Sequence, residues 1–331
     1  MTVPEVESTP LTAGARRSSI SWLRVEAVRD YGIVFAFLAM FITLSLSSPV
    51  FLTSANLLNV LNQSSEVGII AVAGTLVVIA GGFDLSVGAI YAVGGVVAAQ
   101  TVPDIGVPGA LLAGVLVGLG FGICNGAIVT VGRINPFVAT LASQIIVRGI
   151  ALVLTGGTLI TVTDPSFATL GQGSVFTIRY AVLVWLGFAV IVALLLGRTT
   201  FGRYVYAVGG NAEAARLSGI RVGLVRGVTF ALSGLAAGLA GVVVASRVST
   251  GQADTGAGLE LAAIAAIVIG GTSILGGEGA IWRTVLGVVL ITLIGNGFNL
   301  LNVDPTYQQI FQGVIILLAV GIDAWARRSR R

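Results

Sequence analysis

The chain has 331 residues, 56% apolar and only 10% charged, with a mean hydropathy of +1.00. Soluble domains carry about 25% charged residues, so 18 basic and 14 acidic side chains cannot cover a soluble fold of this length, and the protein is integral to a membrane. There is no His and every basic residue is Arg, which excludes a Walker A lysine, a Schiff-base lysine, a His triad and His metal sites.

Residues 1–30 form a polar tail with Arg16, Arg17, Arg24 and Arg29. It lacks the apolar core and small-residue cleavage site of a signal peptide, so the first span is expected to be an uncleaved anchor. Trp22 reads either as an interfacial residue or as an ordinary tail residue. A membrane-spanning helix needs about 20 apolar residues. Ten candidates follow, at 32–48, 61–80, 85–101, 107–130, 136–155, 179–197, 224–246, 259–275, 282–300 and 307–325. The expected fold is therefore an all-α polytopic bundle of about ten spans. One transmembrane domain, 31–326, lies between the tail and a basic terminus, 327–331.

Glycine marks the packing. The runs GVLVGLGFG (114–122) and SGLAAGLAG (233–241) place small residues at helical spacing, so neighbouring backbones can approach closely. Cys124, alone in an apolar run, reads as a small core hydrophobe and allows no intrachain disulfide.

Charge orients the bundle. The net charge of +4 and pI near 9.7 reside in termini and a few loops rather than in a stripe for nucleic acid. Both termini carry four Arg, and the 198–226 loop carries Arg198, Arg203, Arg216, Arg221 and Arg226. Ten spans put all three regions, with Arg133, on the cytoplasmic side, as the bias of basic loops requires. The outside then holds 49–60, 102–106, 156–178, 247–258 and 301–306, with Arg179 and Arg247 at helix ends. The 156–178 loop, rich in β-branched residues and turn formers, is expected to form a small external element or a plain connector. Spans 2–5 and 7–10 enter from opposite sides, which permits an inverted repeat.

In the 198–226 loop, Gly209-Gly210-Asn211 supplies a turn and a cap, and 212–219 reads as a two-turn helix closed by Gly219. Glu213 and Arg216 share one face, available to a protein partner or simply paired in solvent. The segment 206–222, YAVGGNAEAARLSGIRV, resembles the coupling loop of ribose-type ABC transporter permeases, the carbohydrate importer family with a fused double ATPase. GGFDLSVGAIYAVGG (81–95), NPFVATLASQIIVRGIALVLTGG (135–157) and the late stretch 259–290 around GGTSILGGEG are similar to that family as well. The likeness covers roughly residues 50–325.

The resemblance implies a homodimer of ten-helix subunits in a bacterial inner membrane, two cytoplasmic ATPases and an extracytoplasmic sugar-binding protein. ATP-Mg would be bound by the partner ATPase and no cofactor by this chain. It also implies that Gly210, Asn211, Glu213, Ala214, Arg216 and Gly219 dock into an ATPase groove.

Gly81-Gly82 breaks the second span, and Asp84 with Ser86 can cap a helix starting at Leu85. Asp84 also reads as a pathway or gate residue near the inner face, together with Phe83 and Ser86. Glu278, in the glycine-rich inner turn GGTSILGGEG, is expected to be exposed, and that turn also reads as a contact for the ATPase that the resemblance implies. Glu66, Arg148 and Glu260 are costly inside spans unless paired or wetted, and Arg148 could pair with either carboxylate. A sugar path needs amides, hydroxyls and an aromatic face. Asn59, Asn62 and Gln63 lead into the second span, and Asn296, Phe298 and Asn299 lie near the outer end of the ninth. Each Asn reads equally as a cap or helix-interface residue. Readings that compete with a sugar permease are a nucleoside or branched-chain amino acid permease and, from another class, a secondary carrier, which would want titratable groups at mid-membrane.

Overall fold

A computed structural model describes residues 19–304 and residues 307, 310, 313, 314, 317 and 321, with side chains from Tyr31 onward. The helices are α1 Ser19–Ser47, α2 Ser54–Ile79, α3 Val87–Thr130, α4 Pro136–Thr155, α5 Thr169–Gln172, α6 Tyr180–Arg198, α7 Thr200–Gly210, α8 Ala212–Leu217, α9 Val222–Val248, α10 Leu259–Ile269 and α11 Ile281–Leu300. Six of them are long and apolar enough to cross a membrane. The chain is an all-α polytopic membrane protein.

Several boundaries differ from those read from hydropathy. The 44-residue α3 takes up the expected spans 85–101 and 107–130. The loop expected at 102–106 is reduced to a kink at Gly106 (φ 68°, ψ 169°) between Pro103 and Pro108, because a left-handed glycine turns the chain in one residue. α2 starts at Ser54 rather than 61, capped by the Thr53 hydroxyl, so Asn56 and Asn59 are helical and not part of an outer loop. α10 stops at Ile269 instead of 275. There Gly271 (φ 77°) sends its N–H to Val268 O, while Thr272 N–H reaches back to Ile267 O. Glycine permits this left-handed closure, which satisfies the last carbonyls. α2 ends the same way, with Gly81 (φ 80°) bonded to Val78 O and Gly82 to Val77 O. The expected tenth span, 307–325, falls for the most part outside the described residues.

The core forms where α9 lies against both arms of α3. A methyl on Gly118 would stand 2.5 Å from Gly234 O and 2.6 Å from the Gly238 Cα, and one on Gly122 2.5 Å from Phe230 O. One on Gly241 would stand 1.9 Å from Tyr91 O. The two glycine runs are therefore each other's partners, and backbone packs on backbone. α2 completes the core against α10 and α11, where Gly74 faces Ile267 and the Thr75 and Thr284 hydroxyls meet at 2.8 Å.

The 156–178 loop does form a small element. A two-residue strand β1 (Ile160–Thr161) pairs with β4 (Thr250–Gly251), a 3₁₀ turn spans Pro165–Ala168, and β2 (Ser174–Val175) pairs with β3 (Ile178–Arg179) in a hairpin. The Ser246 hydroxyl fastens it to the end of α9, donating to Phe167 O (2.5 Å) and accepting from Gly171 N–H (2.8 Å).

Candidate functional site

At the other end of α9 the 198–226 loop folds into α7 and α8. α8 is capped by Asn211, whose side-chain oxygen accepts from Ala214 N–H at 2.9 Å, and it closes at Gly219 (φ 84°). Glu213 and Arg216 pair at 2.6 Å with both side chains about two-thirds exposed. That hydrogen bond and charge hold the Arg216 guanidinium above its ordinary value. The helix packs on α7 and α9 through its buried Ala215, while Glu213, Arg216 and Leu217 face outward. A helix of six residues does not persist alone, so cap, ion pair and αL closure maintain it.

Sequence reading missed how firmly the base of this helix is fixed. Gly209 is wedged between the two helix breaks: a methyl there would stand 1.6 Å from Ile79 O and 2.5 Å from Gly277 N. Those two atoms are themselves bonded at 2.8 Å. The Tyr206 hydroxyl donates to Gly279 O (2.8 Å) and Arg226 Nε to Ala80 O (3.2 Å). Burial raises the Tyr206 phenol above its ordinary value, against the opposing charge of Arg283. The break after α2, the break after α10 and the loop 198–226 thus share one junction. The only sequence signal was glycine pairs at all three places.

The first break is a non-helical stretch of backbone held by side chains. Leu85 N–H donates to Thr140 Oγ1 (3.1 Å), and Asn125 Nδ2 donates to Ser86 Oγ (2.8 Å). Asp84 Oδ1 accepts from Ser86 N–H (3.1 Å) and Ser86 Oγ (2.5 Å). The helix begins at Val87, not Leu85, and Ser86 makes no capping bond. Asp84 therefore closes a turn, and at 7% exposure it is buried rather than close to water. Its Oδ2 makes no hydrogen bond, and the Ser233 hydroxyl lies beside it. Phe83 is half-buried in the same segment, and Glu278 in the second break is likewise half-buried rather than exposed.

The costly charges find partners that spacing did not reveal. Glu66 pairs with Arg247 and accepts from the Tyr91 hydroxyl at 2.8 Å. Glu260 accepts from Gln144 Nε2 at 2.9 Å. Arg148 takes neither carboxylate as a hydrogen-bond partner. Its Nη1 donates to Ala253 O (2.5 Å) and Thr255 O (2.8 Å), holding the run of turns that leads into α10.

The nine pathway candidates are not gathered in one place. Asn59 and Gln63 are exposed on one face of α2, with Glu66 a turn further on, whereas Asn62, at the edge of that face, is buried. Asn296 is buried in a reciprocal amide pair with Asn56 at 2.8 and 3.1 Å, a fastening of α2 to α11. Asn299 is exposed one turn later and Phe298 half-buried. Asp84 lies beyond the far end of α2, 20 helical residues or about 30 Å from Asn59. Among the described residues no group of three or more His, Cys, Asp or Glu could hold a metal ion.

Residues 56–320 match the family model described as branched-chain amino acid transport system / permease component. The chain is 38% identical to the ribose import permease protein of Escherichia coli K12, over 96% of this chain and 98% of that one. It is 40% identical to the L-arabinose ABC transporter permease protein of Azospirillum brasilense (92% and 91%) and 41% identical to the ribose import permease protein of Bacillus subtilis (87% and 91%). No solved structure matches. The chain belongs to this family of transport-system permease components.

Proposed function

We propose that this chain, as a member of that permease family, is the membrane-spanning subunit of an ATP-binding cassette importer that carries a monosaccharide of the ribose or arabinose kind across a bacterial inner membrane. An extracytoplasmic binding protein delivers the sugar, and ATP-Mg hydrolysis on a separate ATPase subunit drives its passage. The observation that carries the mechanism is α8: a capped, exposed helix whose base is fixed to both helix breaks through Gly209, Tyr206 and Arg226. An ATPase that grips Gly210, Asn211, Glu213, Ala214, Arg216 and Gly219 would move both breaks as it closes. The chain is itself a transport subunit and not the ATPase, since it has no Lys to complete a Walker A loop.

In the proposed arrangement ten spans put both termini and the 198–226 loop in the cytoplasm, and two such subunits form a homodimer around the path. Two packing relations support an inverted repeat of spans 2–5 and 7–10. α9, the seventh span, lies against both arms of α3, the third and fourth; α2, the second, lies correspondingly against α10 and α11, the eighth and ninth. The first arm of α3 and α10 also each follow a non-helical segment, and they meet where a methyl on Gly88 would stand 2.3 Å from Glu260 Oε2. Discontinuous helices that converge at a repeat interface are where transporters handle their substrates. The exposed amides Asn59 and Gln63 are suited to sugar hydroxyls, and Asp84, Phe83 and Ser86 to an inner gate.

The decisive experiment is sugar uptake with the Glu213→Arg variant. The charge reversal breaks an exposed pair and leaves folding intact, so membrane abundance stays level while uptake falls at least about tenfold, equivalent to about 1.4 kcal/mol of lost docking. Normal uptake of ribose and arabinose by that variant rules out the assignment. The family's description as a branched-chain amino acid permease component keeps those amino acids as the second substrate class, and leucine uptake in the same cells separates it from sugars.

A further inference from the structure

The turn between α10 and α11 presents an apolar side chain where none is needed for packing. Ser273 N–H donates to Glu278 O (2.9 Å) and Gly276 N–H to Ser273 O (3.0 Å), which closes a tight loop with Leu275 at its tip, 70% exposed. Gly276 (φ 89°) and Gly277 (φ 76°) adopt left-handed conformations that bring the loop down on the residues just before α8. A methyl on Gly277 would stand 2.8 Å from the Gly210 Cα, and one on Gly276 3.0 Å from Gly209 O. Backbone against backbone leaves no play between the loop and the base of α8. The apolar Leu275 and the last residue of α8, Leu217 (79% exposed), are thus mounted on one rigid platform beside the Glu213–Arg216 pair.

We propose that the 273–277 turn is a second foot of the ATPase dock, with Leu275 as an apolar anchor seated in the ATPase next to the groove that receives α8. This rests on the importer reading above and adds to it a contact outside the coupling loop. Continuity with α8 selects the occupant: a surface that rides on the same two glycines meets whatever α8 meets. A large apolar side chain held out on a rigid turn also fits the anchor of an interface, where a few such residues carry most of the affinity.

The ATPase is identified as the P-loop protein that co-purifies with the tagged wild-type chain, and is then titrated back onto stripped inside-out vesicles. Leu275→Asp weakens its rebinding about tenfold or more and Leu275→Met less than twofold, while Glu213→Arg weakens it as well. Unchanged rebinding to Leu275→Asp, with loss on Glu213→Arg, overturns the second foot and leaves the importer reading standing. If neither variant changes rebinding, or no ATPase accompanies the wild type, both fall. A Leu275→Cys chain carrying Cys124→Ser gives an independent readout with a membrane-impermeant maleimide. Labelling in stripped vesicles that the returned ATPase blocks supports the proposal. Equal labelling with and without ATPase overturns it, and so does absence of labelling in stripped vesicles, which would put Leu275 in lipid.

Discussion

Gly209→Ala is the sharpest probe of the junction between the 198–226 loop and the two breaks. The added methyl would stand 1.6 Å from Ile79 O and 2.5 Å from Gly277 N, both main-chain atoms that cannot rotate aside. Forcing one methyl into a packed site costs about 1–3 kcal/mol. Separating the Ile79 O–Gly277 N–H bond costs about 1 more, so the loss is about 2–4 kcal/mol. Alanine in place of a helical glycine returns up to about 1 kcal/mol, leaving about 1–3 kcal/mol net. At about 2 °C per kcal/mol for a large domain, the detergent-solubilised protein should unfold about 2–6 °C lower, and uptake per inserted chain should fall because the junction has been prised apart. Gly210→Ala is the control: a methyl there meets nothing within 4 Å, so the same helix gains alanine without the clash and melts at or slightly above wild type. Equal melting of the two variants, with equal uptake, refutes the wedge.

Two further outcomes follow from the packing. Gly118→Ala, whose methyl meets Gly234 O and Gly238 at about van der Waals overlap, should push α9 off α3 and lower stability by about 1–3 kcal/mol, whereas Gly120→Ala, with nothing within 4 Å, should be silent in the same melt. Asn296→Ala strands the buried Asn56 amide and should cost about 1–3 kcal/mol, while a double Asn56→Leu, Asn296→Leu chain removes both polar partners and should recover most of it; a double variant as unstable as the single one contradicts the pairing.

What could be read from the sequence is what local backbone chemistry encodes. Asn211 as a cap, Gly219 as a closing residue, the Glu213–Arg216 pair and the break at Gly81 each depend on neighbours a few residues away. The glycine rhythm announced close packing, because small residues at helical spacing have few other uses in a membrane. It did not say that 114–122 packs on 233–241, since any helix could have met those faces. The boundaries of α3 and α10 were misjudged for a related reason: hydropathy does not see a one-residue kink at Gly106 or a helix end inside an apolar run at Gly270-Gly271. The tie of Tyr206, Gly209 and Arg226 to the breaks was invisible because it joins two side-chain donors and a glycine to main-chain atoms up to 146 residues away.

The same distinction explains why so few charges remain within the spans. Extended backbone inside a bundle has amides and carbonyls with no helical partner, and at membrane depth those groups must be satisfied by protein. Thr140 supplies that for the Leu85 N–H and Asp84 for the Ser86 N–H, and Arg148 supplies it for the carbonyls of Ala253 and Thr255. Seen from the sequence, Arg148 is a charge seeking a carboxylate; in the fold one nitrogen of its guanidinium serves two carbonyls of the turns before α10. Two carboxylates then leave an oxygen without a hydrogen bond: Asp84 Oδ2 at the first break and Glu260 Oε2 where the first arm of α3 meets α10. A buried carboxylate oxygen without a donor is costly, and at Asp84 the Ser233 hydroxyl stands close enough to turn and supply one.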